Sequence, residues 1–326
     1  MDALGQQRRP FWFMIDFLAR SPVVLTEKEL PGAGVCFAYP SRSFLPQSLP
    51  LPQSRPQFQK FPVDFATYQT AFEEVKRQIY LGNTYLLNLS FATRLQTNLS
   101  LGEIFAQSQA PFRLWIQHRF VCFSPEKFVR IQDGEIASFP MKGTIDAALP
   151  QAETLVLENP KEKAEHYTIT DLIRNDLNQV AHHVEVSRFR YLDRVQAYDR
   201  QLLQVSSAIR GQLTPGYQSQ LGQLLARLLP AGSITGAPKR KTLDIILAVE
   251  NYNRGYYTGI TGWFDGQNLE SAVMIRFIEQ IGDTLYFKSG GGITYQSEAE
   301  AEYQEMIDKV YLPFLPETSS DEGRPA

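Results

Sequence analysis

The sequence predicts an α+β chain built around large, mostly antiparallel sheets. Strand-like runs follow one another without strict βαβ alternation, and helical periods break in between them. The 326 residues are 43% hydrophobic and 12% aromatic, enough for a large core. Surface scaling gives roughly 14,000 Å² folded against about 54,000 Å² unfolded, so about three quarters of the surface can be buried. That fits one large domain or two ordinary ones and excludes disorder, coiled coil and collagen.

Residues 1–64 read as a short N-terminal piece of two strands followed by a Pro-rich connection. The apolar run 11–19 is interrupted by Asp16, is too short to span a bilayer and has no small-residue cleavage site, so the expectation is a soluble cytoplasmic protein. Pro40, Pro46, Pro50, Pro52, Pro56 and Pro62 stand among Ser and Gln, which predicts an irregular surface segment. Residues 65–315 read as the main body of the chain. Helical periods cover 67–80, 101–107, 161–177, 218–229, 237–249 and 297–311; strand patterns cover 85–92, 112–117, 120–124, 128–131, 257–264, 272–279 and 284–289. Residues 316–326 are polar, without apolar periodicity, and are expected to be a disordered tail. The expectation is one structural domain overall.

Thirty-two basic against 35 acidic residues leave a net charge of −3, which gives no broad field for nucleic acid or an anionic membrane. Cys36 and Cys122 cannot make a disulfide framework or a four-thiolate zinc site. Buried free thiols are expected, with a single disulfide as the alternative.

Two helices carry carboxylates in unusual places. On the helix starting near Lys161, Glu165 points the same way as Ile169, Leu172 and Ile173, the core-facing stripe. A carboxylate there must be paired or bind a cation. On the last helix, Glu302, Glu305 and Lys309 fall within roughly 60° of arc, bordering the apolar set Tyr303, Met306 and Val310. The alternative is a solvated face with a Glu305–Lys309 pair. Three carboxylates on two helices are also what a hard cation such as Mg²⁺ needs, with an anionic substrate and waters completing its shell.

Two glycine segments stand beside them. In residues 230–239, Gly232 and Gly236 allow close backbone approach, Thr235 reads as a helix N-cap, and Pro238 lies near the first turn. Free amides there suit an anion, but the spacing is not that of a phosphate-binding P-loop. Residues 289–293 end a strand with Gly290, Gly291 and Gly292, which open amides to a ligand or make a turn. Arg276, at the end of the run 271–276, is expected on a buried strand and so calls for an anion. A small, multiply anionic substrate fits all of these.

Read together, residues 65–311 resemble the chorismate-utilising enzymes: anthranilate synthase large subunit, aminodeoxychorismate synthase component I and isochorismate synthase. The resemblance rests on ordered motifs. They are Gly82-Asn83-Thr84-Tyr85 with Leu86-Leu87-Asn88-Leu89-Ser90, Ser124-Pro125-Glu126, Pro140-Met141-Lys142-Gly143-Thr144, Ala164-Glu165-His166, and Asp171-Leu172-Ile173-Arg174-Asn175-Asp176-Leu177. After the 232–239 turn come Arg254-Gly255-Tyr256-Tyr257-Thr258-Gly259, Gly291-Gly292-Ile293 and Glu302-Tyr303-Gln304-Glu305. The resemblance implies a deep α/β sandwich of mostly antiparallel sheets with helices outside and the site between its layers. It also implies Mg²⁺ held by Glu165, Glu302 and Glu305, and substrate contacts from Arg276, Tyr257, Gly292, Lys309, Thr235 and Gln204.

Lys142 selects the branch. In aminodeoxychorismate synthases resembling this chain, the lysine of Pro-x-Lys-Gly-Thr attacks C2 of chorismate as the C4 hydroxyl leaves; anthranilate synthases usually carry alanine there. The amine must be deprotonated, and a desolvated site near a metal ion is expected to lower its pKa. Glu126 matches the acid that protonates the departing hydroxyl, its pKa raised by a carboxylate-rich pocket. Ammonia would then attack C4 and expel the lysine, leaving 4-amino-4-deoxychorismate, a precursor of p-aminobenzoate and folate. Leu86 stands where water-adding relatives place a lysine base, which disfavours isochorismate formation. Gln204 stands where many relatives have a histidine, and it can hydrogen-bond but not shuttle a proton. Cys36, Cys122 and the four histidines suggest no glutaminase centre, so ammonia is expected from a separate glutamine amidotransferase chain, with a separate lyase releasing pyruvate. The short N-terminal region predicts no tryptophan feedback. The alternatives are an anthranilate synthase large subunit or a non-catalytic chorismate-binding homologue.

Overall fold

A computed structural model describes residues 1–196, 201–312 and 314. The tail assigned to 316–326 lies outside the described residues. Two large sheets dominate, and every strand pairing among the described residues is antiparallel. The first runs in spatial order Met141–Asp146, Gln201–Gln212, Glu135–Ser138, Lys127–Gln132, Leu269–Val273, Ile260–Phe264, Phe11–Ile15 and Val23–Leu25, with His182–Gln196 also paired to Gln201–Gln212. The second runs Gly236–Ala237, Leu86–Thr97, Thr284–Ile293, Phe277–Ile281, Phe120–Ser124, Phe112–Ile116, Val35–Ala38 and Ser43–Phe44, with Phe58–Phe61 added to Leu86–Thr97.

The first 64 residues contribute more than the two expected strands. Phe11–Ile15 lies inside the first sheet, and Phe11, Trp12 and Phe13 have no exposed surface. Val35–Ala38 joins the second sheet. Strands of this segment therefore belong to both sheets, and the apolar run near the start is core. The proline-rich stretch contributes only the short strands Ser43–Phe44 and Phe58–Phe61.

Two points in the chain change sheets, and both matter for the site. Phe120–Ser124 belongs to the second sheet and Lys127–Gln132 to the first, so the chain crosses at Pro125 and Glu126. The expected single strand 272–279 is two strands, Leu269–Val273 in the first sheet and Phe277–Ile281 in the second, which cross at residues 274–276. Arg276 is thus on a kink with φ 54°, not within a strand. The crossings brace one another: Val273 N–H donates to the Glu126 carbonyl at 3.1 Å, and Phe123 N–H donates to the Arg276 carbonyl at 3.1 Å.

The helices follow the expected periods with shifted ends. Phe65–Tyr80 starts on Asp64, which accepts from Thr67 N–H at 2.8 Å. Pro160–Asn178 starts on Asn159, with Pro160 in the first turn. The period at 218–229 splits into a 3₁₀ turn, Tyr217–Gln220, and the helix Leu221–Leu228. Ala152–Glu158 and the single turn Gly232–Thr235 appear in addition. Cys36 and Cys122 are buried free thiols. No helix among the described residues is long and apolar enough to cross a membrane.

Candidate active site

Where the sheets part, a cavity of about 510 Å³ opens, lined by Glu126, Lys142, Lys161, Glu165, Gln204, Tyr257, Arg276, Gly292, Glu305 and Lys309 among others. That volume suits a small ligand. Each wall has a local cause. Lys142 sits on Met141–Asp146 at a register shift in its pairing with Gln201–Gln212, and Gly143 takes φ 85° to make it. On the Asn159-capped helix, Lys161, Glu162, Glu165 and Ile169 fall on one face and all line the cavity. Glu126 and Arg276 come from the two crossings.

The glycines at 290–292 end a strand as expected, and they are paired residues of it rather than a turn after it. They continue Thr284–Ile293, opposite Ser90, Leu89 and Asn88. Their contribution is missing side chains. A Cβ on Gly292 would lie 3.2 Å from Lys142 Nζ, 3.4 Å from Glu165 Oε2 and 3.1 Å from Leu86 Cδ1. A Cβ on Gly291 would lie 3.4 Å from Glu302 Oε2, 3.8 Å from Glu305 Oε1 and 3.9 Å from Lys309 Nζ. Two neighbouring glycines thus seat all three carboxylates named from the sequence.

Each of those carboxylates meets a lysine. Lys142 donates to Glu165 Oε2 at 2.8 Å, Lys161 to Glu302 Oε1 at 2.5 Å, and Lys309 to Glu305 Oε1 at 2.7 Å. Lys309 also donates to the Gly290 carbonyl at 2.9 Å. With Glu165 against Lys142, burial pulls its pKa down, but Glu165, Glu162 and Glu305 more than offset that and hold it above its ordinary value; the lowering expected from the sequence is for a site that holds a metal ion. Burial of Lys309 outweighs Glu305, and its pKa falls. Glu126 is raised as expected but from a different cause: burial, opposed by Ser233, Lys142, Arg276 and Lys309. Arg276 makes no ion pair among the described residues; its Nε donates to Tyr311 Oη at 3.3 Å.

Glu302 Oε2 is buried without a partner. This bare oxygen and the all-oxygen donor set of Glu165, Glu302 and Glu305 fit a hard cation. Among the described residues no three His, Cys, Asp or Glu side chains already converge as a ligand group.

Two sequence-named residues, Thr235 and Glu302, are absent from the cavity lining, and Thr235 is turned away from it. Its hydroxyl donates to the Ala231 carbonyl at 2.8 Å and it has no exposed surface. It does not cap the next helix either, because Gly236–Ala237 pairs with Leu86 and Leu87 and the helix Lys239–Val249 begins only after Pro238. A Cβ on Gly236 would stand 1.8 Å from the Leu86 carbonyl, so only glycine permits that pairing. Gln204 is half-buried in the wall, on Gln201–Gln212 beside Thr144. Asn88, Lys161, Glu162, Ser233 and Lys288 also line the cavity without having been picked out as site residues in the sequence; the helical arc shared by Lys161, Glu162 and Glu165 was the available signal for two of them.

Comparison with known proteins places the chain in a family. The profile of the chorismate binding enzymes matches residues 39–313. An uncharacterized PabA-like protein of Pasteurella multocida is 50% identical over 309 residues, covering 95% of each chain. Aminodeoxychorismate synthase component 1 of Escherichia coli is 32% identical over 261 residues, 74% of this chain and 56% of that one. The solved anthranilate synthase component I of Streptococcus pneumoniae superposes with a TM-score of 0.65 at 24% identity, covering 80% of this chain and 60% of that one. With its two antiparallel sheets and the cavity between them, the chain belongs to the chorismate binding enzyme family.

Proposed function

We propose that this chain is component I of an aminodeoxychorismate synthase, converting chorismate and ammonia to 4-amino-4-deoxychorismate, with ammonia delivered by a separate glutamine amidotransferase chain. The observation that carries the reading is the placement of Lys142: its Nζ is in the cavity wall against Gly292, and Glu126 lines the same cavity. An amine and a buried acid in one small cavity match a displacement in which nitrogen enters and a hydroxyl leaves. Arg276 and Lys309 supply charge for substrate carboxylates, Tyr257 and Gln204 supply hydrogen-bonding groups, and Gly292 leaves room for the ring.

Glu165, Glu302 and Glu305 would hold Mg²⁺. When bound, that ion supplies positive charge for the ring carboxylate of the substrate. The chain's own residues do the rest. Lys142 must leave Glu165 and shed a proton before its nitrogen attacks C2. Glu126 gives its proton to the C4 oxygen, which departs as water. Ammonia then bonds to C4 and the C2–nitrogen bond to Lys142 breaks, returning the electron pair to the lysine.

A second reading, anthranilate synthesis by direct ammonia attack, draws on one observation: Lys142 Nζ is ion-paired to Glu165 at 2.8 Å, and a lysine kept in such a pair is no nucleophile. Incubation with chorismate, Mg²⁺ and ammonium separates the two. The proposed reaction gives p-aminobenzoate only after a lyase is added; fluorescent anthranilate formed without lyase would favour the second reading.

A further inference from the structure

Glu126 has a fixed backbone and a side chain held at one atom. Its N–H donates to Ser124 Oγ at 3.0 Å within the first sheet crossing, and its carbonyl accepts from Val273 N–H at the second. Among the described residues, its carboxyl group has one hydrogen bond, from Ser233 Oγ to Oε1 at 2.5 Å. Ser233 is placed with care. It lies on the single turn Gly232–Thr235, where a Cβ on Gly232 would come 2.9 Å from Leu172 Cδ2, so the turn packs directly on the Pro160–Asn178 helix. Arg254 holds the other side: its guanidinium donates to the Ile234 carbonyl at 3.0 Å and to the Asn88 carbonyl at 2.7 Å.

A carboxylic acid carries its proton on one oxygen. Ser233 Oγ is the one hydrogen-bond partner of Oε1 among the described residues, and Oε2 has none in a residue that lines the cavity; a serine O–H that donates to Oε1 leaves the acid proton on Oε2. We propose that Ser233 is a positioning residue that assigns the proton of Glu126 to Oε2 and steadies the carboxylate left after transfer. This deepens the reading of Glu126 as the acid for the departing hydroxyl and rests on it. In the step concerned, the proton moves from Oε2 to the hydroxyl oxygen, the carbon–oxygen bond breaks, and its electron pair leaves with the oxygen as water. The charge that appears on Glu126 is shared with Oε1, where the serine hydroxyl already points.

The charged and titratable groups facing Glu126 are Lys142 from its strand, Arg276 from the second crossing, Lys309 from the end of the last helix, and Tyr257. None is altered by removing the serine hydroxyl, so a change in Glu126 titration isolates that one bond. The test measures chorismate consumption by the full chain against pH, with Mg²⁺ and ammonium, for Ser233→Ala and Ser233→Thr. Loss of a bond that favours the carboxylate raises the acid's pKa. Ser233→Ala is therefore expected to lower kcat about tenfold with KM nearly unchanged, and to move the high-pH limb of the profile upward. Ser233→Thr should restore both. A fall in kcat with an unmoved limb, or no change at all, overturns the proposal. Infrared titration of the Glu126 carboxyl, assigned by loss of its band in Glu126→Gln, asks the same question without turnover. A midpoint raised in Ser233→Ala supports the proposal and an unmoved one refutes it. If the unaltered chain consumes no chorismate, the reaction assignment has failed, and the infrared result still decides the role of Ser233.

Discussion

Two buried ion pairs flank the cavity and are built in opposite ways. Arg254 and Glu250 are each 2% exposed and bonded to saturation: the guanidinium also serves the Ile234 and Asn88 carbonyls, and Glu250 Oε1 accepts from both the N–H and the hydroxyl of Ser90. Lys142 and Glu165 are 21% and 5% exposed, and the lysine Nζ has one hydrogen bond, to Glu165. A charged pair inside a protein is secured by the bonds that satisfy its remaining atoms, not by its mutual attraction alone. The first pair is therefore scaffold. The second has hydrogen-bonding capacity held in reserve beside an open cavity, which is where a working group belongs.

That contrast can be broken by mutation. The largest effect should be on catalysis: Lys142→Ala is expected to reduce aminodeoxychorismate formation by about a thousandfold or more, and Lys142→Met should change denaturant stability by less than about 1 kcal/mol because Glu165 borders the cavity and can recruit water. Undiminished product from the alanine variant would discard the covalent route. Arg254→Met should show the reverse pattern, losing about 3–5 kcal/mol in denaturant unfolding, because the buried Glu250 is left charged without the guanidinium that bonds both its oxygens. Equal stability losses at the two sites would erase the distinction.

Much of the working side was legible in the sequence. The Lys142-Gly143 pair, the carboxylates Glu165, Glu302 and Glu305, and Gly292 all border one region, because a helix arc and a glycine are local features that pattern reveals. The sheet crossings were not legible. Residues 272–279 read as one strand, and only the fold shows that Arg276 takes a left-handed kink between two sheets. An arginine inside that run was the single hint. Thr235 was misread as a cap because pairing of Gly236–Ala237 with a distant strand, a tertiary event, decides where the next helix begins. Whether the trio of glycines pairs or turns is left open by the sequence for the same reason, since its partners Ser90, Leu89 and Asn88 stand two hundred or more positions earlier in the chain.

Smaller changes sharpen the comparison. Gly292→Ala places a methyl group 3.2 Å from Lys142 Nζ and 3.4 Å from Glu165 Oε2. Steady-state kinetics should show kcat down about 10–100-fold from the displaced amine, with little loss of thermal stability. His166 belongs to the scaffold side: it is fully buried, its Nε2 lies 2.6 Å from Ser207 Oγ, and burial first, with Arg190 adding, lowers its pKa from 6.5 to about 4. The unfolded chain then binds a proton that the folded one refuses, so stability is full above about pH 6.5 and is lost as pH falls toward 4. Denaturant midpoints across that window should fall for the unaltered chain by an amount on the order of 2 kcal/mol, and His166→Gln should flatten the slope.

The most direct test of the account asks whether the nitrogen of Lys142 bonds to the substrate. Chorismate and Mg²⁺ are given to the chain with ammonia withheld, the protein is quenched and digested, and the peptide containing Lys142 is weighed by mass spectrometry. The account predicts a peptide heavier by one chorismate less one water, absent from Lys142→Ala and cleared when ammonium is added before the quench. Aminodeoxychorismate formed on ammonium addition by a chain whose Lys142 peptide never gains that mass would contradict it.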